Sequence, residues 1–373
     1  MSSATNFIPK KHFDILDGLR GVASVMVVVF HVFETYSHNN RFIQIVNHGY
    51  LAVDFFFLLS GFVVAYAYDD RWGQMSRPDF YRRRLIRLQP MVVAGAVVGA
   101  LMFYFGQGDI YPVIAETPVW KMLAVMLLGC TLLPLLPAFD IRGWQEMAPL
   151  NGPAWSLFYE YIANLLYALF VHKFSRMVLS ALVLICAGVL VQYAVFGDRG
   201  DMIGGWALDA AQTRVGLTRV LFPFFAGVLL FRTGKVVQVK NAFLWCSLLL
   251  VLAFSLPRFG GPEQLWMNGL YESACIIFLF PFIVVMGAGG TMTEGLSARV
   301  CKFLGEVSYP LYIIHYPFIY LHIKWVNEKN VPMAQGLAMG GLILVGSIAL
   351  SYALLKWYDE PVRAWLSKRF GKG

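Results

Sequence analysis

Long apolar runs separated by short charged clusters recur from Gly21 to the end of this 373-residue chain. A helix that spans the hydrocarbon core of a bilayer needs about 20 consecutive, mostly apolar residues. Only 14% of the residues are charged, against roughly a quarter in a soluble domain, so polar groups are too few to cover a globule of this size. The runs therefore predict an all-α, polytopic transmembrane helical bundle with about ten or eleven membrane-spanning helices.

Eleven stretches are candidate spans. They cover residues 21–37, 50–68, 90–106, 121–137, 155–172, 178–196, 215–231, 242–257, 270–288, 307–323 and 334–355. The connections between them are at most about 22 residues long, which is too short for a separately folded domain. The pattern predicts that residues 1–373 form a single integral-membrane domain with its core at 15–365.

The basic residues indicate how the chain is oriented. The N-terminal segment, the connection after the second candidate span and the C-terminal tail are all basic, and the positive-inside rule assigns all three to the cytoplasm. We therefore predict a multi-pass protein of the cell inner (cytoplasmic) membrane with a cytoplasmic N-terminus. Two termini on one side require an even number of crossings. For this reason we expect segment 121–137, which ends in Pro134 and Pro137, to be re-entrant or tilted.

The net charge of +8 does not indicate a nucleic-acid partner, because the basic residues lie between hydrophobic segments. Membrane lipids are the expected surroundings. Five cysteines lie in or beside apolar segments without CxxC spacing, so they are interpreted as small core residues. No ligand spacing suggests a metal site, and none is expected.

Polar residues inside apolar segments are costly in hydrocarbon and usually face the bundle interior. Arg20 and His31 are eleven residues apart, close to three helical turns, so they project from one face of the first span with about 16 Å of rise between them. A buried histidine is the side chain best suited to exchange protons at neutral pH. The alternative is a structural histidine bonded to a neighbouring helix.

Two carboxylates are also embedded in apolar sequence. Asp54 opens the second span, and Glu160 lies more than one turn inside the fifth, after Trp155. Buried carboxylates must be protonated, hydrated or paired. Glu160 is the expected partner of His31, since a base with an orienting carboxylate is a recurrent arrangement. Asp54 is interpreted either as part of the site or as a helix cap.

The arginines of RRRLIRLQP form the third candidate cluster. Arg84 and Arg87 are three residues apart on one helical face, and guanidinium groups bind phosphate in a bidentate manner. Without further information, a topology signal with lipid-headgroup contacts is the stronger interpretation.

The tenth span contains Ser308, Tyr309, Tyr312 and His315. Ser308, Tyr312 and His315 share a face. Seven residues separate Ser308 from His315 by about 10 Å of rise, too far for a serine nucleophile activated by this histidine.

Six of these segments, in order, resemble the motifs of the membrane-bound acyltransferase type 3 family. They are LDGLRGVASVMVVVFH, YLAVDFFFLLSGF, RRRLIRLQP, WSLFYE with the following Tyr167, LGEVSYPLYIIHYP and YDEPVRAW. The resemblance extends from Ile15 to Trp365. Tyr161 stands where many members have a second glutamate and Ala168 where a proline is usual, and both departures concern the acceptor more than the reaction.

The resemblance implies transfer of an acyl group, often acetyl, from cytoplasmic acyl-CoA to a hydroxyl of a sugar in a surface glycan or glycolipid. His31 would be the general base, oriented by Glu160 or Asp54, while His315 or Tyr309 would stabilise the oxyanion or position the acceptor. A covalent acyl-histidine remains open. The CoA phosphates would contact Arg20, Arg83, Arg84 and Arg87; the other substrate contacts would be Trp155, Ser308, Tyr309 and Tyr312.

Two alternatives remain. A transporter or flippase of an anionic or lipid-linked substrate also uses buried Arg, His and Glu, although the chain has no inverted internal repeat of the kind common in transporters. An acyltransferase with a small antibiotic or peptide acceptor is the other. If the through-membrane reaction is correct, we expect one continuous cavity, open to the cytoplasm at the arginines, with His31, Glu160 and His315 at its middle. The sequence leaves the oligomeric state open.

Overall fold

A computed structural model describes residues 12–292 and 294–370, and the regular structure of these residues is helical. The helices are α1 (Asp14–Glu34), α2 (Ala52–Tyr68), α3 (Arg77–Phe103), α4 (Val113–Glu116), α5 (Val119–Gly129), α6 (Ala154–Leu169), α7 (Arg176–Phe196), α8 (Ala210–Thr233), α9 (Ala242–Ser255), α10 (Trp266–Ala274), α11 (Phe280–Gly289), α12 (Leu296–Ile314), α13 (Tyr316–Lys329), α14 (Met333–Leu354) and α15 (Glu360–Phe370). One π-helical turn, Cys275–Leu279, joins α10 to α11, and another, Leu355–Asp359, joins α14 to α15. The all-α prediction is confirmed.

Seven helical stretches of the described chain are long and apolar enough to cross a membrane. They are Asp14–Glu34, Gly49–Tyr68, Arg77–Gly106, Arg176–Phe196, Ala210–Thr233, Trp266–Gly289 and Met333–Phe370. This confirms a polytopic bundle. Helices α6 and α9 have only 16 and 14 residues, and the predicted span 307–323 falls across the junction of α12 and α13. The number of full crossings therefore stays a prediction.

Aromatic contacts fix the first three helices as antiparallel neighbours. At one face, the Phe13 ring before α1 lies 5.4 Å from Phe62 near the end of α2, and Tyr68 at the end of α2 lies 4.8 Å from Phe80 at the start of α3. We call this side the N-face. At the opposite side, the far face, Phe30 of α1 lies 5.7 Å from Tyr50 before α2.

The predicted re-entrant or tilted course of segment 121–137 stays a prediction, and only the short helix α5 forms there. Helix α5 has only 11 residues. It begins in a hydrophobic cluster at the far-face end of α3 that contains Phe103 and Met122, and its end lies half-way along α3, where Gln89 donates a hydrogen bond to the Cys130 carbonyl. The chain then returns, because Leu150 belongs to the same far-face cluster. Helix α6 therefore starts at the far face.

Two pairs of helices approach closely through glycine. A Cβ on Gly21 of α1 would meet the Leu304 carbonyl of α12 at 2.2 Å, and a Cβ on Gly61 of α2 would meet the Phe224 carbonyl of α8 at 1.9 Å. Small residues of this kind let helix backbones pack in contact. The first contact aligns Ser24 of α1 with the Ser308 carbonyl, to which it donates a 2.9 Å hydrogen bond. This brings the Arg20–His31 helix against the helix that carries Tyr312.

Candidate active site

Two cavities of similar size meet inside the bundle. The N-face cavity has a volume of about 570 Å³ and lies between α1, α2, α3, α6 and α12. The far-face cavity has a volume of about 660 Å³ and lies between α1, the loop before α6, α8 and the α12–α13 junction. Val53 and Tyr312 line both of them. These two side chains lie where the cavities meet, and we call them the septum.

Arginines and carboxylates are mixed in the N-face cavity. Arg84 Nη2 donates to Glu160 Oε1 over 2.5 Å, and Ser60 Oγ donates to the same oxygen over 2.6 Å. Arg20 is bonded to Asp17 at 3.2 Å. Arg87 is exposed to the cavity and has no hydrogen bond or ion pair with any described residue. Arg87 is therefore available to an anionic ligand, as is Lys302, which also lines this cavity without a bond to a described residue.

The far-face cavity contains His31 and its carboxylate. His31 Nδ1 lies 2.7 Å from Glu34 Oε2, and Arg41 donates to the other oxygen, Oε1, at 2.7 Å. Glu34 thus holds the imidazole from one turn further along the same helix, while Nε2 has no bond to a described residue. The predicted His31–Glu160 pairing is wrong, because Glu160 is bonded to Arg84 and Ser60 on the other side of the septum.

Asp54 does not orient His31 either. Its carboxylate receives bonds from Arg219 of α8, at 2.7 Å to Oδ2 and 3.3 Å to Oδ1. Both side chains are buried, and Arg219 also donates to the Tyr50 and Gly204 carbonyls. A fully bonded buried pair of this kind fixes α2 against α8. Asp54 does not line either cavity, whereas Arg219 lines the far-face cavity.

His315 lies behind His31, at the α12–α13 junction. Its ring is stacked on the His31 ring at 5.7 Å between centroids. Its Nδ1 bonds the Leu311 carbonyl at 3.0 Å, and its buried Nε2 has no partner among the described residues. His315 lines neither cavity. The predicted place of His315 in the cavity wall is therefore wrong, and His31 and Glu160 line different cavities, which meet at the septum.

The motif of α12 faces the N-face cavity, as its spacing predicts for Ser308 and Tyr312. Ser308, Tyr309 and Tyr312 all line that cavity. Tyr309 donates to the Leu88 carbonyl at 2.7 Å. The Tyr312 hydroxyl lies 2.8 Å from Ser156 Oγ and donates to the Pro153 carbonyl at 3.2 Å. The septum is therefore tethered to the start of α6.

Aromatic rings surround the far-face cavity. Trp155, Trp144, Trp206 and Tyr316 line it, and the Arg219 guanidinium lies 5.1 Å from the Trp155 ring centroid. Trp155 is thus a cavity residue, as predicted for a substrate contact.

A second carboxylate of the far-face cavity, Glu146, was not identified from the sequence. Burial raises the pKa of Glu146 to about 7, against the opposing effects of the hydrogen bond from Tyr320 and the nearby Arg142. Glu146 lies in the loop between α5 and α6, outside any predicted span, so only the fold brings it to the site.

The remaining predicted site residue, Arg83, is exposed on α3 and does not line the N-face cavity.

Three other residues of the candidate site were not predicted from the sequence. Glu34 could have been found, because it follows His31 by three residues, a spacing that brings side chains together on a helix. Arg219 is a charge inside a predicted span, which is a functional signal in itself. Arg41 lies in a loop and has no such signal. In the described part of the chain, no group of three His, Cys, Asp or Glu residues has the arrangement of a metal site.

The chain is similar to a described protein family and to several known proteins. The family model described as "Acyltransferase domain" matches residues 13–356. Acyltransferase MdmB of Streptomyces mycarofaciens is 25% identical over 359 residues, which is 90% of this chain and 87% of that protein. Protein 2 in the picA locus of Rhizobium radiobacter is 30% identical over 171 residues, 43% of this chain and 83% of that protein. No solved structure matches.

The O-acetyltransferase OatA of Staphylococcus aureus is 23% identical over 342 residues. The match covers 85% of this chain but only 52% of OatA, so this chain spans about half the length of that relative. The family model covers nearly the whole polytopic bundle, including the lining of both cavities except His12, Asp359, Glu360 and Arg363. The chain therefore belongs to the membrane-bound acyltransferase type 3 family.

Proposed function

We propose that this membrane acyltransferase moves an acyl group, in the simplest case acetyl, from acyl-CoA in the N-face cavity to a sugar hydroxyl in the far-face cavity. The observation that carries the proposal is the pair of cavities that meet at Val53 and Tyr312. One holds an unpaired arginine, and the other holds a histidine–carboxylate pair. A donor and an acceptor can therefore approach the septum from opposite sides.

The donor side is suited to an anionic thioester. Arg87, together with Arg20, would contact the phosphates, since guanidinium groups form charge-assisted bonds to phosphate oxygens. The charges of Arg84 and Glu160 compensate each other in the absence of donor. Arg84 should therefore contribute less to phosphate binding than Arg87. We place the N-face on the cytoplasmic side of the membrane because the basic connections lie there.

The acceptor side is suited to a sugar. The aromatic rings of Trp155, Trp144 and Tyr316 line this cavity. Each ring has apolar faces for packing and a polar N–H or O–H group at its edge. Glu34, Arg41 and Asn327 provide hydrogen-bonding groups on the same wall. A ring with several hydroxyls and an apolar face needs this combination, whereas a purely apolar acyl chain does not.

In the proposed reaction, the acyl group passes directly from the thioester to the acceptor hydroxyl. His31 Nε2 takes the proton of the acceptor hydroxyl as its oxygen attacks the thioester carbon. The carbon–sulfur bond breaks, and the CoA thiolate leaves through the N-face cavity. The thiolate takes one proton from solvent and the His31 imidazolium releases one to solvent, so the net products are the ester and the CoA thiol. Glu34 holds Nδ1 and stabilises the imidazolium that forms, which is the role of the orienting carboxylate in related base–carboxylate pairs. The hydroxyls of Tyr312 and Ser156 lie at the septum, where the thioester carbonyl would arrive.

A direct assay tests this function. The purified protein in lipid nanodiscs is given radiolabelled acetyl-CoA with and without a glycan acceptor, and free CoA thiol and labelled glycan are measured. We expect stoichiometric release and transfer in the wild type, and both rates lowered by about 10²–10⁴-fold with His31→Ala. A transporter would leave acetyl-CoA intact, and that result would overturn the proposal.

A further inference from the structure

The last motif of the chain, YDEPVRAW, has no role in the reaction described above, yet the fold places it on the N-face cavity. A π-helical turn, Leu355–Asp359, interrupts the continuous helical stretch Met333–Phe370. Turns of this kind insert one residue into a helix and are frequent at functional sites. Leu355, Asp359 and Arg363 line the N-face cavity.

Asp359 lines that cavity and has a hydrogen-bond acceptor without a partner. The residue is 2% exposed. Its Oδ2 is paired with Arg363 Nη2 at 2.8 Å, which fixes the carboxylate. Its Oδ1 is buried without a partner among the residues that the structure describes. A buried charged acceptor left unbonded is costly, so a bound molecule that donates a hydrogen bond here gains affinity.

The position of Asp359 determines which part of a bound acyl-CoA molecule it can contact. Lys356, one turn earlier, is paired with Glu306 of α12 at 3.2 Å. A Cβ on Gly305, next to Glu306, would lie 3.0 Å from Asp17, and Asp17 is the residue bonded to Arg20. Asp359 is therefore near the N-face mouth of the cavity, close to the arginines and remote from the septum.

We propose that Asp359, held by Arg363, binds a hydrogen-bond donor of the CoA adenosine, either the adenine 6-amino group or the ribose 2′-hydroxyl. A carboxylate repels phosphate and accepts bonds from N–H or O–H groups. The arginines take the phosphates, and the pantetheine arm runs deeper, toward Tyr312. The inference rests on the proposed use of acyl-CoA and adds the residue that recognises its nucleotide.

Variants separate this role from a structural one. Asp359→Asn should raise the KM for acetyl-CoA by about 10-fold or more, since a charge-assisted bond is replaced by a weaker bond to a neutral amide oxygen. It should leave the KM for acetyl-pantetheine, which has the thioester arm but no nucleotide, unchanged. Asp79→Asn is the matched control, because that carboxylate lies at the N-face outside the cavity and is already paired with Arg82 at 3.2 Å, and it should change the KM for acetyl-CoA less than twofold. An equal rise of KM for both thioesters in Asp359→Asn would overturn the proposal.

Donor analogues test the same contact in the wild-type protein, so the result does not depend on how the variant folds. Acetyl-CoA with a 1,N6-etheno-adenine lacks the amino donor, and acetyl-2′-deoxy-CoA lacks the hydroxyl. We expect one of the two to bind about 10-fold more weakly than acetyl-CoA, which also identifies the donor group. If neither binds more weakly, Asp359 has no nucleotide contact. If the wild type releases no CoA from acetyl-CoA at all, the proposed function itself fails.

Discussion

The pairing of His31 with Glu34 is the feature of single residues on which the chemistry depends most. Glu34 Oε2 lies 2.7 Å from His31 Nδ1, and the same carboxylate is bonded to Arg41. The imidazole therefore has one nitrogen fixed and one facing the substrate space. A general base of this type contributes about 10²–10⁴-fold to a rate.

His31→Ala should lower kcat by about 10²–10⁴-fold without loss of folded protein, because only the proton acceptor is removed. Glu34→Gln should lower kcat by about 10-fold with an unchanged KM for acetyl-CoA. His31 is still present, but it no longer has a carboxylate that orients the ring and stabilises the imidazolium. The measurement is steady-state CoA release with acceptor present. A kcat for His31→Ala above about a tenth of the wild-type value would exclude His31 as the base.

Glu146 gives the far-face cavity a pH-dependent group. Burial raises its pKa from 4.5 to about 7, so the folded protein binds a proton more tightly than the unfolded chain does. The contribution of this group to stability is complete below about pH 4.5 and is lost as the pH rises through 7, by roughly 3 kcal/mol at most. Arg142 and Asp140 are the charged neighbours that modify this value.

Glu146→Gln should therefore flatten the pH dependence of stability. We expect the wild-type Tm in detergent to fall between pH 5 and pH 8, and the variant to lose less over the same interval. The matched control is Glu328→Gln, a carboxylate of α13 paired with Lys324 at 3.4 Å. Parallel Tm curves for the wild type and Glu146→Gln would show that Glu146 is already ionised near pH 5.

At the scale of helices, the septum determines whether the two substrates can meet. Tyr312 of α12 is bonded to the start of α6 through Ser156 and Pro153, and with Val53 it lines both cavities where they meet. Acyl transfer to an acceptor at His31 requires the thioester to reach this point. The size of residue 312 should therefore control transfer more than donor binding.

Tyr312→Trp should lower acyl transfer by about 10-fold or more, since a larger side chain at this position narrows the passage between the cavities, while acetyl-CoA binding stays within twofold. Tyr312→Ala should raise CoA release in the absence of acceptor, because water then reaches the thioester. Tyr352→Trp, on the exposed side of α14, is the control of equal size change. Transfer by Tyr312→Trp at the wild-type rate would mean that the acyl group takes another route.

The contact between α1 and α12 positions the active site as a whole. Gly21→Ala places a Cβ 2.2 Å from the Leu304 carbonyl, so the helices must separate, at a cost of about 1–3 kcal/mol. Gly341→Ala in α14 has no atom within 4 Å of its new Cβ and should be neutral or slightly stabilising. Thermal unfolding in detergent compares the two. A Tm loss equal in both variants would contradict a specific role for the close approach.

The sequence predicts the helical class and the motif positions well because apolar run length and helical periodicity are local properties. Arg20 and His31 lie on one helix, so their spacing fixes their separation. The partners of Glu160 and Asp54, Arg84 and Arg219, lie on other helices, and only the packing of the bundle decides which charges meet. The septum is also a property of packing, since Val53 and Tyr312 lie more than 250 residues apart in the sequence.

At the scale of the whole molecule, the two faces should lie on opposite sides of the membrane, and the predicted re-entrant segment is the critical test. Gln74 is exposed at the N-face between α2 and α3, whereas Asn40 is exposed in the α1–α2 connection at the far face. Gln145 is exposed in the loop between α5 and α6. If α5 enters and leaves on the far face, Gln145 must share the side of Asn40.

Single cysteines at these three positions, in a cysteine-free background that retains activity, are labelled in intact cells with a membrane-impermeant maleimide. We expect Asn40→Cys and Gln145→Cys to be labelled from outside, and Gln74→Cys only after the membrane is permeabilised. The positive-inside rule gives the direction, since the N-face connections carry the basic clusters. Labelling of Gln145→Cys together with Gln74→Cys would mean that α5 and its flanks cross fully. Trp155 would then start on the cytoplasmic side, and the assignment of the two cavities to opposite faces could not stand.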